Sequence, residues 1–291
     1  CLVAAAALVF GGYLGMVHLA NSLADAQRGS FAPRPSSHVE VNANWDPADL
    51  PWAQPDPNVS IFVHDQDTQV LTSNQIYDQV LPSVVCVTAD QGNGSASVGS
   101  GVVLTQSGYI VTNFHIIQGG VSLNVSMLSS TANYDAKLVG YDEELDLAVL
   151  KIEAQGLTPA RLGSSDQLSV GDSVYAIGNP MGYLHGTMTE GIISSPTRTI
   201  PVDGKDMNLL QTSAALNSGN SGGALTNAYG QVVGITSAKI TGVENDTVIE
   251  GLGLVIPIND TIPFLNQMIH TGQSFRPSLG ILCHCLTALL E

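Results

Sequence analysis

The stretch Leu209-Leu-Gln-Thr-Ser-Ala-Ala-Leu-Asn-Ser-Gly219-Asn-Ser221-Gly-Gly-Ala-Leu225 decides how the rest of the chain is read. An apolar run enters it at Leu209 and another leaves it at Ala224, so Ser221 sits among Gly219, Gly222 and Gly223 on a loop between two short apolar segments. Glycine admits backbone dihedrals closed to other residues, and such a loop can bring its N–H groups close to a bound molecule. If Ser221 is a nucleophile, the turn Gly219-Asn220-Ser221 is the expected oxyanion hole, with the N–H groups of Gly219 and Ser221 as its donors. Read alone, the pentapeptide is also compatible with a glycine-rich hairpin turn.

Two upstream segments bear on the choice. Ile110-Val-Thr-Asn-Phe-His115-Ile-Ile ends a β-rich apolar run on a histidine, and Glu143-Glu-Leu-Asp146-Leu-Ala-Val-Leu-Lys151 sets an acid at the entry to an apolar strand. Taken singly, His115 reads as an ordinary core or surface histidine and Asp146 as a strand-start aspartate. Taken together they complete a chemical requirement. A serine hydroxyl is a poor nucleophile at neutral pH, so it needs a base, and the base needs an acid that fixes its tautomer and stabilises its charged form. His115, Asp146 and Ser221 are the expected catalytic residues, in the chain order of the trypsin superfamily. Because an imidazole accepts a proton only when neutral, activity is expected to fall below about pH 6.5.

Composition agrees with a β-rich fold. Of 291 residues, 44% are hydrophobic, 12% charged and 30 are glycine, which suits short strands joined by tight turns. Nine Lys+Arg against 25 Asp+Glu give a net charge of -16, which disfavours a nucleic-acid partner. Cys1, Cys86, Cys283 and Cys285 form no disulfide framework, and Cys86 reads as a small core residue. Cys283-His284-Cys285 lacks a second ligand pair, so neither a metal nor any other cofactor is expected.

Organisation follows from composition shifts. Residues 1–24 carry no Asp, Glu, Lys or Arg and, as a helix, would span roughly 30 Å, so a transmembrane signal anchor is expected there. Cleavage as a signal peptide after Ala24-Asp25-Ala26 is the other fate. Residues 25–72 hold six prolines between Pro33 and Pro57 without periodicity and read as an extended, poorly folded linker, with Trp45 and Trp52 as candidate docking residues for a partner. A folded domain is expected over 73–273. It opens with a short amphipathic helix at Asn74–Leu81 and a strand from Val84. Further strands are expected at 101–104, 109–112, 122–126, 136–141, 147–152, 173–177, 187–193, 209–212, 231–236 and 252–256. Pro257 to Gln273 reads as a helix capped by Asn259 or Asp260 and stopped by Gly272.

An ordered set of motifs resembles the HtrA/Deg family of serine proteases: Gly99-Ser-Gly-Val-Val-Leu, Gly108-Tyr-Ile-Val-Thr-Asn-Phe-His, Asp146-Leu-Ala-Val-Leu-Lys, Ala176-Ile-Gly-Asn-Pro-Met-Gly, Thr189-Glu-Gly-Ile-Ile-Ser, Leu210 through Gly223, and Gly251-Leu-Gly-Leu-Val-Ile-Pro. The resemblance implies an all-β, trypsin-like double six-stranded β-barrel with the triad in the cleft between barrels, and a short C-terminal helix. It implies ATP-independent endoproteolysis of unfolded or misfolded proteins outside the cytoplasm, and often a homotrimer. By family position, Ala215, Leu216, Ile235, Thr236 and Ser237 line the primary substrate pocket, which holds no acid and so favours a small aliphatic side chain. Ser213 and Ser218 depart from the Asp and Pro common there, which bears on loop conformation. Residues 274–291, opening with Arg276-Pro-Ser-Leu-Gly-Ile, resemble the truncated start of a PDZ domain. A chaperone-like binding protein, catalytically silent on the same fold, is the alternative.

Overall fold

The computed structural model describes residues 45–65, 69–179, 186–202, 205–217, 219–238, 243–244, 247–248 and 252–276. The anchor expected at 1–24, the tail beyond Arg276 and Ser218 lie outside them. Among the described residues no helix is long and apolar enough to cross a membrane.

Two closed antiparallel barrels of six strands each make up the domain. The first contains β1 (Val84–Asp90), β2 (Ala96–Val103), β3 (Tyr109–Thr112), β4 (Ser122–Met127), β5 (Asn133–Asp142) and β6 (Leu147–Ile152), in the order β1-β2-β3-β6-β5-β4. The second contains β7 (Ser173–Gly178), β8 (Thr187–Val202), β9 (Lys205–Thr212), β10 (Ala224–Asn227), β11 (Val232–Thr236) and a last strand, β14 (Gly253–Pro257). Between these last two strands, β12 (Val243–Glu244) pairs with β13 (Thr247–Val248) as a separate ladder.

Side-chain alternation explains the packing. In β4 the residues Leu123, Val125 and Met127 turn into the first barrel while their neighbours are more exposed. Strand β6 is apolar on both faces because Ala148, Leu150 and Ile152 fill that barrel, whereas Leu147 and Val149 join the core outside it. The same division separates Leu210, inside the second barrel, from Leu209 in the shared core. That shared core also receives Ile76 and Val80 of α1 (Ser73–Val80) and Ile258, Leu265, Met268 and Ile269 of the C-terminal helix (Ile258–Thr271). Helix α1 begins on a capping box in which Thr72 and Gln75 satisfy each other's backbone N–H groups.

Every barrel strand but one overlaps a segment expected from the sequence. The exception is β10, whose four residues follow directly on the glycine loop. Strands β8 and β9 also run well past their expected limits as a polar hairpin, where Pro196 and Pro201 hide the strand pattern. The C-terminal helix ends as expected at left-handed Gly272, φ 76°. Its N-cap, however, is Pro257. Asn259 instead accepts the Ser165 N–H at 3.0 Å and donates to Asp166 Oδ2 at 2.7 Å, a tertiary use that local capping rules do not foresee.

Residues 45–65 correct the expectation of a poorly folded linker, because they form a strap along the domain. Pro51 O and Ala53 N–H bracket Leu138 of β5 at 2.8 Å each. Further on, Ile61 exchanges hydrogen bonds with the Asn266 amide at 2.7 and 2.9 Å, and His64 N–H reaches Leu162 O at 2.7 Å. Leu50 and Ile61 are buried. Prolines hold the strap extended, which leaves its polar groups free to pair with the domain, while single apolar residues enter gaps too widely spaced to register as a period. Trp45 and Trp52 are docked on this same chain. Trp45 donates to Gly120 O at 2.8 Å and faces Phe114, and Trp52 meets Tyr141 edge-on.

Candidate active site

Strand pairing brings the first two expected catalytic residues together. Strand β3 runs antiparallel to β6 with Thr112 opposite Ala148, so the residues just after β3 face those just before β6. His115 lies on the single-turn helix α2 (Phe114–Ile117), and Asp146 closes the turn that follows β5. His115 Nδ1 donates to Asp146 Oδ2 at 2.7 Å, and the backbone N–H of His115 donates to Oδ1 at 2.9 Å. The Ser237 hydroxyl adds a third donor, to Oδ2 at 3.1 Å. Asp146 is thus a buried carboxylate whose charge is compensated by three hydrogen bonds.

Ser221 comes from the second barrel, on the loop between β9 and β10. Ser100 of β2 staples this loop to the first barrel. It donates its N–H to Ser221 O and its hydroxyl to Gly219 O, both at 2.8 Å, and its Oγ accepts Asn179 N–H at 2.8 Å. On the other side, Gly222 N–H donates to Thr236 O at 2.8 Å, and Thr236 N–H to Gly223 O at 3.0 Å. Gly222 has φ 79°, and a Cβ there would strike the Ser100 carbonyl. Beneath the loop, Cys86 pairs with Ser100 in the β1–β2 ladder. Burial pushes its thiol pKa up, with Asn179 and Thr88 partly opposing.

The three expected oxyanion-hole residues divide. Asn220 N–H is already given to Asn217 O at 2.9 Å, which leaves it no free donor. The N–H groups of Gly219 and Ser221 have no protein acceptor among the described residues and remain available. The Ser221 hydroxyl oxygen accepts Ala238 N–H at 2.9 Å, and among the described residues no hydrogen bond joins it to His115.

Of the expected pocket residues, Ala215 is exposed and Leu216 half-buried. Ile235 belongs instead to the shared core, where strand alternation turns it inward. Thr236 donates its hydroxyl to Asn220 O at 2.5 Å, and Ser237 is committed to Asp146, so both are buried behind the loop. Ser213 accepts Ile192 N–H at 3.0 Å. Sequence reasoning assigned no role to Ser100 or Asn113 and did not foresee the bond from Ser237 to Asp146. The first two do stand inside the quoted motifs, which is the one signal that marked them.

Comparison with known proteins gives the family and the fold. The family model described as "Trypsin-like peptidase domain" matches residues 99–235. "Serine protease Do-like HtrA" of Lactococcus lactis subsp. cremoris is 37% identical over 290 residues, covering 96% of this chain and 70% of the relative. The chain belongs to the HtrA family of trypsin-like serine proteases.

Another HtrA relative, "Probable periplasmic serine endoprotease DegP-like" of Rickettsia conorii, is 39% identical over 201 residues, 68% of this chain and 39% of the relative. The solved structure "HtrA-type protease AlgW with tripeptide" superposes with a TM-score of 0.62 at 34% identity, over 70% of this chain and 65% of that one. Beyond the first relative, the chain spans between 37% and 52% of the length of the curated relatives it matches.

Proposed function

We propose that this chain carries the catalytic domain of an ATP-independent serine endopeptidase that hydrolyses unfolded or misfolded proteins outside the cytoplasm through an acyl-enzyme. The observation that carries the reading is the 2.7 Å bond from His115 Nδ1 to Asp146 Oδ2, linked through Ser237 and its neighbour Ala238 to Ser221, on a glycine loop with two N–H groups free among the described residues. In this reading His115 Nε2 takes the proton of Ser221 as Oγ bonds to the scissile carbonyl carbon, and the carbonyl electron pair moves onto oxygen. The N–H groups of Gly219 and Ser221 hold that oxyanion. Collapse breaks the C–N bond, and the amine leaves with the proton from Nε2. A water then attacks the ester by the same route and restores Ser221.

The absence of an acid at Ala215 and Leu216 supports cleavage after small aliphatic residues. The periplasmic name of the Rickettsia relative supports the location. Anchoring through residues 1–24 and assembly as a homotrimer belong to the same proposal. So does a PDZ-like start at 274–291. One observation favours the second reading, a silent chaperone-like protein, and that is the pairing of Ser221 Oγ with Ala238 N–H instead of with His115.

Unfolded casein incubated with the chain and with Ser221→Ala, with product termini read by mass spectrometry, separates the two. Cleavage after small aliphatic residues that vanishes in the variant supports the protease. Binding of casein without cleavage, and no labelling of Ser221 by a serine-directed phosphonate, supports the chaperone.

A further inference from the structure

Asp146 is the single non-glycine residue among those described with a left-handed backbone, φ 54°. Aspartate adopts this conformation at a cost, and a strained backbone persists only where its surroundings enforce it. Here two donors converge on its carbonyl oxygen, Asn113 Nδ2 at 2.9 Å and Phe114 N–H at 3.1 Å.

Asn113 is the N-cap of α2, where an asparagine normally turns its side-chain oxygen back onto a free N–H of the first turn. It makes no such bond. Its Oδ1 is buried without a partner, and the first-turn N–H that needs an acceptor, that of His115, is taken by Asp146 Oδ1 at 2.9 Å. The two side chains have exchanged tasks. The acid caps the helix, and the capping residue holds the backbone of the acid.

We propose that Asn113 is a positioning residue for the His115–Asp146 pair, holding Asp146 in its left-handed state so that one carboxylate both caps α2 and orients the imidazole. An asparagine needed only as a cap would not leave a fully buried oxygen unpaired while spending its amide on a carbonyl across 33 residues of chain. With the amide removed, the carbonyl loses one of its two donors, Asp146 can relax toward an ordinary backbone, and the carboxylate turns away from Nδ1.

This inference rests on the protease reading for its kinetic test, which compares the full chain with Asn113→Ala and Asn113→Ser. Serine keeps a good capping hydroxyl but is too short to reach the Asp146 carbonyl. In both variants kcat should fall roughly 10- to 100-fold with KM within about twofold, the scale of a misplaced catalytic group. The low-field Nδ1 proton resonance of His115 should shift in both variants, because its hydrogen bond to the carboxylate is disturbed. Wild-type activity in Asn113→Ser would reduce Asn113 to a cap and overturn the proposal. A loss that follows only the folded fraction, with that resonance unmoved, would overturn it as well.

If Asn113→Ala is too unstable to assay, Asn113→Ser carries the comparison. A wild-type chain that neither cleaves nor takes a phosphonate label defeats the protease reading instead. The low-field Nδ1 proton resonance of His115 then decides Asn113 on its own, by shifting in the variants or staying in place.

Discussion

Arg276 Nη2 and Asp142 Oδ1 form a 2.9 Å ion pair that ties the end of the described chain to the turn leading into Asp146. Asp142 is buried, and its carboxylate also accepts Glu144 N–H at 3.0 Å, Leu145 N–H at 2.9 Å and the Ser274 hydroxyl at 2.6 Å. Arg276 also pairs through Nη1 with Glu144 and is more exposed than Asp142, with 38% of its side chain accessible, so removing it forfeits two charged hydrogen bonds that water partly replaces. Arg276→Ala should therefore cost about 1–2 kcal/mol in urea unfolding, and Asp142→Ala about 2–4 kcal/mol, because the acid also builds the turn. Equal losses would show that the turn does not depend on the Asp142 side chain.

Trp45 anchors the strap to the histidine helix. Its indole N–H bonds to Gly120 O at 2.8 Å, and its ring lies 6.0 Å from Phe114, which stacks in turn on Tyr141 at 5.1 Å. Trp45→Ala should destabilise the domain by about 2–4 kcal/mol, a value typical of a large side chain that leaves packed neighbours behind. Limited proteolysis of the variant should cut within 45–65, and an uncut strap would contradict the docking.

Ser237 gives Asp146 its third donor. The carboxylate keeps two bonds without it, so Ser237→Ala should lower kcat/KM only about 3- to 10-fold, the equivalent of one ordinary hydrogen bond. A loss as large as that of Asp146→Ala would mean that Ser237 does more than hold the acid.

Gly222 tolerates no side chain, since φ is 79° and an added Cβ meets the Ser100 carbonyl. In Gly222→Ala the loop must shift, carrying Ser221 and the free Gly219 N–H with it. Phosphonate labelling should slow by about 100-fold or more, as when catalytic geometry is lost. Gly94→Ala provides the control, because a Cβ at that left-handed glycine meets nothing within 4 Å and should leave labelling unchanged.

Cys86 is buried, and burial raises its thiol pKa, so it holds less thiolate at neutral pH than a free cysteine. Peptide-resolved mass spectrometry after iodoacetamide treatment at pH 8 should find Cys86 unmodified in the folded chain and alkylated in urea. Rapid modification of the native protein would show that the β1–β2 ladder opens at Cys86.

What can be read from neighbours along the chain was legible without coordinates. Strand positions follow from alternation and from the turn residues between them, and Gly272 stops its helix because no side chain competes with the left-handed turn. His115, Asp146 and Ser221 stood out because activating a serine calls for those three residue types, each of which stands beside a recognisable strand or glycine loop. The remaining features depend on partners far away in sequence. Asn113 meets Asp146 across 33 residues, Ser237 meets it across 91, and Ser100 holds Gly219 across 119. The strap is bound by hydrogen bonds to β5 and the C-terminal helix, at positions where its own sequence looks unstructured. A hydrogen bond between distant segments is set by barrel register, and register is a property of the whole sheet. For that reason tertiary structure alone decided that the Asn220 N–H is spent on Asn217, which serine supports the acid, and which asparagine sets its backbone.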